Sequence, residues 1–115
     1  MSIISEKYNR LIKALVDATE AHKVTWEKVS RLNEYKTSFG KEAVSIQCRE
    51  RHSEDGKIVT SYALLLWNKD GKNIDEYHGG IDATRYTLDF LFEAARRSNL
   101  KVEDTLDTIL SKLEA

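Results

Sequence analysis

The stretch Ala43–Tyr77, AVSIQCRERHSEDGKIVTSYALLLWNKDGKNIDEY, decides the fold. It holds three segments in which apolar residues alternate, separated by Asp55-Gly56 and Asp70-Gly71. Alternation at period two marks a strand, and Asp-Gly between two such runs is a strong hairpin signal. In the first run Val44, Ile46 and Cys48 share one face, with Ser45, Gln47 and Arg49 on the other. In the second, Tyr62, Leu64 and Leu66 share a face, but Ala63, Leu65 and Trp67 make the opposite face apolar too. Such a strand is either covered on both sides or has one side open to a partner. The third run, Asn73 to Tyr77, is short and charged, as suits a sheet edge.

Upstream, Tyr35, Thr37 and Phe39 alternate with Glu34, Lys36 and Ser38 and predict another strand, with Gly40 marking a bend. Val24, Thr25 and Trp26 predict a short first strand, ended by Ser30-Arg31-Leu32-Asn33. Residues 5–21 read as an amphipathic helix, because Tyr8, Leu11, Ile12, Leu15 and Val16 recur at helical spacing. Ser5 is its candidate N-cap, with Glu6 in the first turn. Downstream, Gly79-Gly80 ends the strands and Asp82 is a candidate cap for a helix over Ala83–Ser98, carrying Leu88, Leu91, Phe92 and Ala95 on one face. Asn99 breaks it. Val102, Leu106, Ile109, Leu110 and Leu113 then describe a final helix, with Glu103 and Asp104 in its first turn and Lys112 in its last. Helices and strands segregate along the chain, which predicts an α+β fold. The expected form is an antiparallel meander of about five strands, flanked by an N-terminal helix and two C-terminal helices stacked on one sheet face. Residues 1–115 are expected to make a single α+β domain.

Composition narrows the functional classes. Hydrophobic residues are 41% of the chain, enough for a core. Lys+Arg 18 nearly balances Asp+Glu 19, and no basic stripe is visible, which argues against nucleic acid as a partner. The lone cysteine, Cys48, cannot close an intramolecular disulfide and suits a reducing cytoplasm. Residues 1–6 carry no basic region followed by an apolar core, so no signal peptide is expected, and no apolar run is long enough to cross a membrane.

Beyond the strand pattern, the chain resembles a group of small bacterial or phage proteins of unknown function with a helix, meander, two-helix layout. The likeness is carried by Val24-Thr25-Trp26, Tyr35-Lys36-Thr37-Ser38-Phe39 and Leu65-Leu66-Trp67-Asn68-Lys69-Asp70-Gly71. Towards the end it is carried by Leu91-Phe92-Glu93-Ala94-Ala95-Arg96-Arg97 and Val102-Glu103-Asp104-Thr105-Leu106-Asp107. These are packing and turn patterns, so the resemblance implies a layout and an origin but no activity.

No motif for catalysis, metal binding or phosphate binding stands out. His22, His52 and His78 lack the helical pair spacing of a metal site, and no Cys-x-x-Cys is present. Their expected roles are at the surface or at caps, although His78 could share a pocket with Asp75 or Asp82. Cys48 falls in phase with Val44 and Ile46, which points to a buried, inert thiol. Gly79-Gly80-Ile81-Asp82 precedes a helix, but Asp82 would repel a phosphate there. Arg85, Arg96 and Arg97 lie among acidic neighbours and read as a solvated face.

Two functional readings follow. The first is a non-enzymatic cytoplasmic interaction module (adaptor, inhibitor or immunity-type) that meets a protein partner or forms a homodimer through Ala63, Leu65 and Trp67. The second is a domain that holds a nucleotide or other metabolite between Tyr77, His78, Arg85 and Tyr86. No cofactor is implied by either.

Overall fold

Turn chemistry sets the sheet. In the computed structural model, which describes residues 3–29, 31–79 and 86–115, five strands pair antiparallel in the order β1-β2-β3-β4-β5. They are β1 (Glu27–Lys28), β2 (Glu34–Phe39), β3 (Glu42–His52), β4 (Ile58–Trp67) and β5 (Asn73–Tyr77). The β3–β4 and β4–β5 turns are built alike. Gly56 donates to the Ser53 carbonyl and Gly71 to the Asn68 carbonyl, with φ of 82° and 76° at the two glycines. Such φ values meet no Cβ clash only in glycine, which is why Asp-Gly marked both turns. Gly40 occupies the first position of a two-residue loop and makes a third hairpin where a bend was expected.

Helix α1 (Ile3–Glu20) buries Tyr8, Ile12, Leu15, Val16 and Thr19, the stripe its spacing predicts. Ser5 lies inside this helix, so it is not the N-cap. The helix closes on a left-handed His22 (φ 58°), with Lys23 donating to the Ala18 carbonyl and His22 to that of Thr19. Those two bonds make a Schellman motif, with histidine where glycine is usual. Helix α2 (Leu88–Asn99) buries Leu88, Leu91, Phe92 and Ala95. It starts later than expected: Thr87 caps it by accepting from the Phe90 amide, and Asp82 lies outside the described residues. Asn99 ends the helix and donates its side-chain amide to the Trp26 carbonyl at 2.8 Å.

The core lies between these two helices and one sheet face. Tyr35, Val44, Ile46 and Leu64 pack there with the α1 and α2 stripes and with Trp26. Trp26 precedes β1, and its indole N–H donates to Thr19 Oγ1, which itself donates to the Leu15 carbonyl. The first strand therefore falls at Glu27–Lys28, after the expected Val24-Thr25-Trp26, because Trp26 serves the core as an anchor.

The third helix, α3 (Val102–Leu113), departs from expectation. It follows α2 after Leu100 and a left-handed Lys101, and none of its residues is buried. Its periodicity predicted a helix stacked on the sheet. The helix is there, but the face it would need is already filled by α1 and α2.

Candidate functional site

The sheet face away from the helices was the expected partner surface. Ala63 is 0% and Leu65 6% exposed within this one chain, so neither is available to a partner. This corrects the expectation, and the cause is visible in the cross-strand register. Ala63 pairs with Gln47, and Leu65 lies between Ser45 and Glu76. Over these small and medium residues runs a polar chain. Gln47 donates to Glu34 at 3.0 Å, Arg49 donates to Gln47, and Arg49 grips both Glu76 oxygens at 2.9 and 3.2 Å. His78 sits 3.2 Å from Glu76 at the far end. The Arg49 guanidinium holds the Glu76 carboxyl below the usual carboxylate range. Trp67 lies half-buried at the other side of this face, its N–H on Ser45 Oγ at 3.0 Å and the Lys36 ammonium 4.1 Å above its ring. Long polar side chains, rather than a third helix, cover this apolar surface.

The expected ligand constellation is dispersed. Tyr77 stacks on Tyr8 with ring centres 4.5 Å apart and donates to Asn9. Tyr86 donates to Asp17 at 3.1 Å, with the Lys13 ammonium 5.4 Å from its ring. Asn9 and Asp17 are about 12 Å apart along α1 at 1.5 Å per residue, so these two tyrosines do not converge. His78 alternates with Tyr77 and falls on the opposite sheet face, where it meets Glu76. Asp75 accepts from Tyr8 at 2.6 Å on the helix side, which separates it from His78. Arg85 and the Gly80–Asp82 turn lie outside the described residues.

The remaining candidates have structural surroundings. Burial pushes the Cys48 thiol up, against a lowering hydrogen bond with Tyr62, so it is held as a protonated thiol. Arg96 donates to Glu93 at 2.9 Å and Arg97 lies 3.8 Å from the same carboxylate, which Arg96 holds below its ordinary range. His22 sits 3.1 Å from Glu103 and ties the end of α1 to α3. His52 is exposed at the end of β3. No three His, Cys, Asp or Glu side chains among the described residues could together hold a metal ion.

The surface that the sequence reading assigned to the core is the one left open. Leu106, Ile109 and Leu110 are 53%, 49% and 48% exposed, and Leu113 is 76% exposed. Beside them, the first turn of α3, α2 and the end of α1 enclose a groove of about 1180 Å³. Trp26, Tyr62, Phe90, Val102 and Leu106 supply its apolar lining, and Glu93 and Arg97 its charge. Phe90, on α2 at the edge of this groove, is 37% exposed. A continuous apolar stripe on a short helix, flanked by charges, has the chemistry to seat another apolar surface.

Comparison with known proteins adds no relative: no family model, no curated protein and no solved structure matches the chain. No helix among the described residues is long and apolar enough to cross a membrane.

Proposed function

We propose that this chain is a non-enzymatic protein-interaction module of the adaptor, inhibitor or immunity type, with the α3 stripe and its groove as the contact surface. A cytoplasmic setting belongs to the same reading, supported by a lone cysteine kept as a thiol. One observation carries the proposal: four large apolar side chains stand in a row on a helix that buries nothing. Twelve-residue helices are marginal in water without a packed face. Exposed apolar rows of this kind mark contact sites in stable proteins. The ligand reading has less support, since Tyr77, Tyr86 and His78 are each committed to their own chain.

Amide hydrogen exchange on the dilute chain tests the reading. The α3 amides are expected to exchange orders of magnitude faster than those of α2, because no α3 side chain is buried. Protection in α3 equal to that in α2, in dilute solution, would mean that its stripe is already covered and would refute the reading.

A further inference from the structure

We infer that the surface covering the α3 stripe is the α3 helix of a second copy, running parallel about a twofold axis. This rests on the interaction-module reading and adds its partner. Three features support it. Val102, Leu106, Ile109 and Leu113 recur at steps of four, three and four residues, the seam spacing of two helices that pack on each other. A seam of this kind is complementary to itself, so an identical helix fits it without a new surface having to be supplied.

The charges select the orientation. With the stripe facing forward, helical geometry at 3.6 residues per turn puts Glu103, Asp107 and Glu114 on one flank. Lys112 falls on the other. Glu103 is engaged by His22. Asp107, Glu114, Lys101 and Lys112 make no ion pair among the described residues. A parallel twofold turns the acidic flank of each copy towards the basic flank of the other. Lys112 then comes level with Glu114 of the second copy to within about 3 Å of rise. An antiparallel twofold instead sets like flanks together, acidic against acidic. Flank charges of this sort contribute little affinity but decide register and partner.

Size sets the strength. The helix is about 18 Å long, and its stripe together with Phe90 reaches only the low end of specific interfaces, near ~1,000 Å² in total. The pair is therefore reversible and depends on concentration.

Sedimentation equilibrium of the full chain over a wide concentration range reads the association directly. The expected result is a monomer–dimer equilibrium between the 13.2 kDa chain and twice that mass. Ile109→Asp buries a charge in each copy and should weaken association roughly 100-fold or more, with Trp fluorescence and melting of the dilute chain unchanged. Leu113→Cys in a Cys48→Ser background, with a mild added oxidant, should yield a disulfide-linked dimer. Antiparallel helices would hold the two positions about 17 Å apart, beyond disulfide reach. A dimer indifferent to Ile109→Asp, or one that Leu113→Cys does not cross-link, would overturn the proposal. So would a chain still monomeric at millimolar concentration. In that last case, fast exchange in α3 leaves the interaction-module reading standing, whereas protection there removes both.

Discussion

At the scale of single residues, His22 shows how a local conflict can persist. It ends α1 at a φ of 58°, a conformation that disfavours any side chain with a Cβ. Its imidazole lies 3.1 Å from Glu103 on α3, an exposed contact that returns little. His22→Gly should therefore stabilise the chain by about 0.5–1 kcal/mol in urea denaturation. A loss would show that the link to Glu103 outweighs the backbone strain. Tyr8 makes the opposite case. Burial first, then the hydrogen bond to Asp75, raise its phenol above the ordinary tyrosine value of 10.0. The unfolded chain releases that proton near pH 10 while the native chain keeps it, so the native state binds more protons and stability falls as pH rises beyond 10. Denaturation at pH 8 and pH 11 should show this loss. Tyr8→Phe should reduce it, at a cost of about 1 kcal/mol at neutral pH. Part of the slope will remain, because burial also raises Tyr62. An unchanged slope in Tyr8→Phe would mean that the phenol ionises freely in the native state.

At the scale of elements, α3 stands apart from the two helices that build the core. Shortening the chain after Lys101 should leave the stability of the remainder within about 1 kcal/mol, since no α3 side chain is buried. A larger loss in thermal or urea melts would show that α3 supports the body. The four longer strands and their order were legible beforehand because Asp55-Gly56 and Asp70-Gly71 demand specific backbone geometry, and because Val44, Ile46 and Cys48 alternate strictly with polar residues. The start of α2 was less legible, because Asp82 and Thr87 are both good caps and only packing chooses between them. The placement of α3 was not legible in its periodicity. Its periodicity reports an apolar face and is silent about what meets that face. A width argument carries some signal. Strands ~4.8 Å apart make a five-stranded sheet about as wide as two helices of ~10 Å, leaving no room for a third. The cover over Ala63 and Leu65 was illegible in the sequence for a related reason. Gln47, Arg49 and Glu76 read as solvent-facing polar residues, and only the register reveals that they join hands over the leucine.

For the whole molecule, the radius of gyration is 16.0 Å, whereas a compact chain of this length is expected near 13 Å. The excess fits a helix set out from the body and a β3–β4 hairpin whose far end carries exposed residues such as Ile58. Association through α3 would place the two bodies at one end of a shared helical stem and leave their sheets free. The rim of the sheet bears on this arrangement. Between Leu66 and Trp67 the pairing with β5 slips, so that Asp75 and Asn73 are the partners and Ile74 is left over. The extra residue throws the peptide groups of the terminal ribbon out of step with any neighbour that might line up beside it. Growth by adding ribbons is thereby discouraged at that border, which works against fibrous stacking of the sheets.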